Sequence, residues 1–221
     1  MKVRTSAILA AASLMVLTVP AQAATIIFDF EETNLGVTSS LTETNDGTTL
    51  TVTRENGTAF QVRDIGASAP EFGSRTLGPF NNNVGDAFML NFSALLSSIS
   101  LQAGDFAPSD ADIFTLRIFS GANGTGTLLG TATTSQDENT GFPNFSTLSL
   151  NSTTPFGSAI FVGGSPAFAN SVFLDNVVVN TISGAVPEPA TWAMMLLGFF
   201  GIGAAMRRPK VRIARQSVAF A

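Results

Sequence analysis

The sequence predicts an all-β protein: an antiparallel β-sandwich of jelly-roll type, followed by a single short C-terminal transmembrane helix. Three observations predict it. Between residues 24 and 186 no long segment has helical periodicity, and short β-rich runs recur between clusters of Asn, Gly, Pro and Asp. That segment carries 16 of the 19 Phe, enough bulky side chains for a sandwich core. Residues Ala190 to Met206 then form 17 residues without a charge, about 25 Å as a helix and near the lower limit for crossing a bilayer.

The elements follow in order. Lys2 and Arg4 form a positive n-region, Ala7 to Val19 an apolar h-region, and Ala21-Gln22-Ala23 a small-x-small cleavage site. Residues 1–23 are therefore a signal peptide, and they imply the Sec machinery and signal peptidase as partners. The exported domain, 24–183, holds ten predicted strands: Thr25–Phe30, Thr48–Arg54, Phe60–Ile65, Ala87–Phe92, Ser98–Ala103, Ile113–Phe119, Leu128–Thr133, Phe145–Leu150, Ala159–Val162 and Val172–Asn180. Turn signals lie between them, including Asn45-Asp46-Gly47, Asn56-Gly57, Gly78-Pro79 and Asn81-Asn82-Asn83. Period-two alternation sends Phe114, Leu116 and Ile118 inward, and Thr115 and Arg117 outward. A jelly roll closed by its first and last strands brings Phe28–Glu31 beside Phe173–Val177.

Composition narrows the chemistry. Residues 24–186 have four arginines, no lysine and 15 acidic residues, a net charge of −11. Such a surface offers nothing to the phosphates of nucleic acid or to anionic lipid. The chain has no Cys, His or Tyr. Thiol chemistry, serine–histidine catalysis and histidine-ligated metals are thereby excluded. Carboxylates, hydroxyls and four arginines are what is left.

Two groups of carboxylates stand out. On the strand Phe173 to Val179, either choice of buried face places a polar side chain among apolar ones, and Asp175 then needs an arginine, backbone donors or a cation. The segment Gly104 to Asp112 brings Asp105, Asp110 and Asp112 into one exposed loop. Two readings stand for it. The carboxylates bind Ca²⁺, which accepts six to eight hard ligands with flexible geometry, or they cap turns through backbone N–H groups. Asp175 completes the candidate calcium set. A glycoside hydrolase or lyase needs two carboxyls about 5–5.5 Å apart, one with a raised pKa. Glu31 and Glu32 face opposite sides of a strand and an exposed loop desolvates little, so no enzyme activity is expected. The row Thr49, Thr51, Thr53 reads as a solvated strand face.

The tail is the most specific part. Val186-Pro187-Glu188-Pro189-Ala190-Thr191-Trp192-Ala193 leads into the apolar run, which ends at Arg207-Arg208. Pro187 and Pro189 start the helix near Ala190. Trp192 sits at headgroup level, and the basic residues from Arg207 to Arg215 put the C-terminus in the cytoplasm. Gly198, Gly201 and Gly203 permit close approach to another membrane helix, or are ordinary membrane-helix glycines. This arrangement over residues 184–208 resembles the PEP-CTERM signal of Gram-negative bacteria, with a basic cytoplasmic tail at 209–221. The resemblance implies processing by an exosortase, a membrane-embedded protease or transpeptidase, at or beside Pro187-Glu188-Pro189. It further implies transient anchoring in the inner membrane and a final place at the cell surface or outside the cell.

Within the body, the Gly-Asp-Phe…Ser-Asp-Ala-Asp and Phe-Leu-Asp-Asn-Val patches are similar to galactose-binding-like and carbohydrate-binding jelly rolls, some of which hold a structural Ca²⁺. The sequence thus describes a non-catalytic exported surface or matrix protein, associated with exopolysaccharide or biofilm. The alternative is a carbohydrate-binding module with a calcium site. Against it, glycan platforms stack sugars on Trp or Tyr, and the body has neither.

Overall fold

Alternating apolar and polar residues build the strands, and Phe fills the space between them. The computed structural model describes residues 23–69, 73–80, 86–105, 110–138, 145–169, 172–182 and 189–207. Eleven strands run in the order β1 (Thr25–Phe28), β2 (Gly36–Thr38), β3 (Ser40–Asn45), β4 (Thr48–Arg54), β5 (Phe60–Ala69), β6 (Gly73–Pro79), β7 (Phe88–Gly104), β8 (Asp112–Phe119), β9 (Leu128–Gln136), β10 (Ser146–Gly164) and β11 (Phe173–Thr181), with the helix α1 at Pro189–Met206. Every named strand pair is antiparallel. The body, Ala23–Ser183, is one compact unit, and α1 belongs to another.

The pairing order is β2-β5-β6-β11-β7-β10-β8-β9, with β1 on β11 and the β3–β4 hairpin joined to β7 through β4. β7 is the spine: its first half pairs with β4, its second half with β11, and β10 flanks it throughout. Two pairs of predicted strands merge here. Between Phe92 and Ser98 no Gly or Pro interrupts the chain, so β7 runs on as one strand. β10 also runs on, past Pro155, and its register against β7 shifts between Asn151 and Phe156 and again before Ser158. Such irregularities accommodate a residue that cannot donate to the ladder. Sequence reasoning passed over β2, β3 and β6. Leu41 is the only large apolar residue of β3, and Gly78-Pro79, read as a turn, is the end of β6. Asn81-Asn82-Asn83 lie outside the described residues.

The closure by first and last strands is present. Thr25 to Phe28 pair with Asn180 to Val177. Beyond the strand ends the Thr181 N–H donates to the Ala24 carbonyl at 3.0 Å, and the Ala24 N–H to the Thr181 hydroxyl at 3.1 Å. The core lies behind this seam, with Phe28, Phe30, Phe114, Phe156, Phe161 and Phe173 fully buried. Phe114, Leu116 and Ile118 point inward as the alternation requires. Phe60 meets Phe88 edge-on at 5.6 Å, and the Arg54 guanidinium lies 4.4 Å from the Phe88 ring centre.

One glycine is fixed by packing. A Cβ at Gly163 in β10 would stand 2.6 Å from a Val172 methyl and 2.7 Å from the Phe114 ring. Neither neighbour is a flexible chain end, so Gly163→Ala overpacks the core and lowers stability by about 1–3 kcal/mol, read as an earlier urea midpoint with unchanged slope.

α1 starts on Pro189, one residue before the expected Ala190, because proline suits a first helical position whose N–H has no partner. Leu197, Phe199, Phe200, Ile202 and Met206 are exposed, so the helix is apolar on every described side. No helix among the described residues is long and apolar enough to cross a membrane.

Candidate functional site

Asp112 is the first residue of β8 and continues the inward row of Phe114, Leu116 and Ile118, so it is buried. Asp105 follows Gly104 at the end of β7 and is buried as well, while Asp110 is half-buried. The expectation of an exposed acidic loop is corrected at these ends: strand alternation carries Asp112 inside. Residues 106–109 lie outside the described residues. Burial first, then the charges of Asp105 and Asp110, push the Asp112 carboxyl up to about 7, and a hydrogen bond with Asp105 adds to this. Among the described residues no group of three or more acidic side chains is placed to hold a metal ion by itself.

This cluster makes stability depend on pH. The carboxyl binds its proton more tightly folded than unfolded, where it titrates near 3.8. Its stabilising effect is complete below that value and is lost as pH rises through about 7. In chelator, thermal unfolding should show stability falling from pH 5 to pH 8 by about 1–2 kcal/mol after allowance for solvent screening, and Asp112→Asn should flatten that decline.

The second cluster forms at the closure seam. Asp175 is fully buried on β11, where the register against β7 shifts between Asp175 and Val178 and Asn176 takes a φ of 47°. Its Oδ1 accepts the Asn176 N–H at 2.6 Å, and its Oδ2 is buried without a hydrogen-bond partner. Burial first, then the charges of Glu31, Asp29 and Glu43, push this carboxyl up to about 9, against the pull of the Asn176 N–H. Its acidic neighbours are thus on the β1 side and on β3. Burial and the charge of Asp29 push Glu43 up to about 7, although the Phe30 N–H donates to it. Glu43 Oε2 is also buried with no partner.

Two other acids show what a satisfied carboxylate looks like in this fold. Glu31 accepts the N–H groups of Ser74 and Arg75 at 2.6 and 2.8 Å and the Ser74 hydroxyl at 2.8 Å. Burial raises its pKa, but these donors and the Arg75 charge outweigh that and hold it below the usual range. Gly73, at φ 73°, makes this possible, since the Glu31 carboxylate fills the space a Cβ would need. Asp86 takes the Asn56 N–H at 2.8 Å and the Thr58 hydroxyl at 2.5 Å, and it too ends below the usual range despite burial.

Sequence reasoning placed Asp29 and Glu31 beside Asp175 but missed Glu43. The available signal was period two in Leu41-Thr42-Glu43, which turns Leu41 and Glu43 the same way. Glu43 also lines a groove of about 570 Å³ with Glu32 to Thr38, Ser40 to Thr44 and Val62.

In the tail, Pro187, Glu188 and Arg208 lie outside the described residues, as do residues 1–22 and 208–221. Pro189 opens α1, Trp192 and Ala193 lie on it, and Arg207 follows it, exposed.

Comparison with known proteins adds the following. No curated protein matches the chain. Among solved structures, it is similar to the CBM22-1 xylan-binding domain from Paenibacillus barcinonensis, at 17 % identity over 75 % of this chain and 98 % of that one, with a TM-score of 0.41. A family 6 carbohydrate-binding module matches at 20 % identity over 70 % and 92 %, TM-score 0.34. CBM29_1 from Piromyces equi matches at 9 % identity over 74 % and 95 %, TM-score 0.33. Residues 185–208 match the model of the PEP-CTERM protein-sorting motif. C-terminal to its β-sandwich in sequence, the chain carries a PEP-CTERM protein-sorting motif.

Proposed function

We propose that this chain is a non-catalytic exported protein whose tail is read and cut by an exosortase, delivering the β-sandwich to the cell surface or the exopolysaccharide matrix. The observation that carries this reading is the sorting motif at 185–208, which begins where the compact body ends at Ser183. The signal segment 1–23 supports export through the Sec machinery and signal peptidase. α1 is 18 residues long, about 27 Å, a little short of the roughly 30 Å hydrocarbon core of a bilayer. A marginal apolar helix of this kind suits a segment that the inner membrane holds briefly and then loses. The basic residues after it keep the C-terminus in the cytoplasm. Intact mass of the mature extracellular protein tests the reading. It should begin near Ala24 and end near Glu188, and native protein recovered outside the cell with residues 190–221 attached would overturn it.

A second reading, carbohydrate binding by the body, is favoured by the groove beside β2 and β3. Thr33, Asn34, Thr38, Thr42 and Glu43 line it with hydroxyl, amide and carboxyl groups, the groups that pair with sugar hydroxyls. Retardation of the mature protein on at least one polysaccharide gel supports this reading, and free passage across a broad panel removes it.

A further inference from the structure

We propose that the free edge of β9 is a self-association surface, where a second copy of this chain adds its own β9 antiparallel and the two sandwiches share one continuous sheet. β9 ends the strand order, and among the described residues β8 is its only hydrogen-bonding neighbour. Its other edge therefore presents a row of backbone N–H and C=O groups to whatever strand can pair with them.

The other outer strands carry features that discourage pairing. β2 is three residues long and β1 four. The Asn45 side chain also donates to the Ile27 carbonyl of β1, at 2.8 Å. β3 turns Glu43 inward with its Oε2 buried, and an inward-pointing charge is one of the devices that keep an edge from templating a partner. β9 has none of these. It runs nine residues, Leu128–Gln136, with no charge and no proline, and three threonines favour the extended form. Its one irregularity lies next to Leu128 and leaves Gly130 to Gln136 in unbroken register with β8.

Charge and symmetry select the occupant. Residues 24–186 carry a net charge of −11, so two copies repel one another except where an uncharged surface meets its like. A two-fold axis at Ala132 sets Thr131 of each copy opposite Thr133 of the other, a favourable cross-strand pair made twice. Asp137 and Glu138, exposed just beyond β9, then stand opposite Thr127 and Gly126, and no acid faces an acid. The same axis covers apolar surface. Leu128 is 51 % exposed at one end of β9, and Ile113 is 56 % exposed on β8 opposite Ser135, near the other end. Antiparallel pairing brings the Leu128 of each copy to the Ile113 end of its mate, with only the small Ser135 side chain between them. Such a contact is isologous, so it closes as a dimer and does not propagate into a fibre.

The test uses the full chain in detergent. Sedimentation equilibrium, with the detergent density-matched, should give twice the mass of a single chain. Thr133 is exposed, so Thr133→Lys should keep the far-ultraviolet circular dichroism of the wild type while setting two lysines across the axis, and the mass should fall to that of one chain. Cysteine cross-linking then locates the contact, because the chain has no Cys of its own. On mild oxidation, a mixture of the Thr131→Cys and Thr133→Cys chains should form disulfide-linked pairs about 10-fold faster than Thr147→Cys, which is exposed on β10 away from this edge. A wild-type chain that sediments at single-chain mass overturns the proposal. So does a dimer that survives Thr133→Lys, or cross-linking of the mixed chains no faster than that of Thr147→Cys.

Discussion

Glu188→Ala should leave the protein in the membrane fraction with residues 189–221 attached, and the extracellular pool should fall by about 10–100-fold. Glu188 is the only carboxylate between the β-body and the end of the chain. A processing enzyme that reads Pro-Glu-Pro has this one charge to grip, between two prolines. A charge-assisted hydrogen bond contributes about 1.5–3 kcal/mol, and losing it from the transition state lowers kcat/KM by that factor. Glu188→Asp, which keeps the charge on a shorter arm, should recover part of the yield. Quantitative immunoblotting of membrane and medium, with intact mass of each species, reads both effects. Normal release of Glu188→Ala would mean that the glutamate is not recognised.

Phe88→Ala should lower the stability of the body by about 3–5 kcal/mol, a fifth or more of the roughly 5–15 kcal/mol that a domain possesses. Phe88 opens β7, the strand that joins β4, β10 and β11, and it is 1 % exposed. Its ring packs edge-on against Phe60 at 5.6 Å and carries the buried Arg54 guanidinium 4.4 Å from its centre. Truncation leaves a cavity and removes the aromatic face under a desolvated cation, so two unfavourable effects add. Burial lowers the Arg54 pKa while the Asp86 charge raises it, which shows how closely that side chain depends on its surroundings. Urea unfolding should show an earlier midpoint, and Phe88→Leu, which keeps most of the volume, should lose less than half as much.

Elements with strong alternation were legible from the sequence. In β4 and β8, apolar residues at every second position define the inward face, and the structure has the same face inward. The closure of β1 on β11 was legible too, because both strands are rich in branched and aromatic residues. β2, β3 and β6 were not, since Gly36–Thr38, Ser40–Asn45 and Gly73–Pro79 contain few apolar residues and take their strand geometry from the neighbours that hydrogen-bond to them. The merging of strands into β7 and β10 was equally hidden, because it depends on partners along 17 and 19 residues and not on local composition.

The sorting tail needed no structure. It depends on the linear order of prolines, one carboxylate, an apolar run and arginines, and a membrane or a protease meets such a segment in extended or helical form. The same holds for the excess of negative charge and for the absence of His and Cys. The grouping of the buried acids was decided by tertiary structure alone. Asp175 and Glu43 are 132 positions apart in the chain, and only the seam between β1 and β11, with β3 beside it, brings them into electrostatic reach. Whether a carboxylate is paired depends on the donors that packing delivers: Glu31 and Asp86 receive several, whereas Asp175 receives one. That count is a property of three-dimensional neighbours, and residue order does not encode it locally.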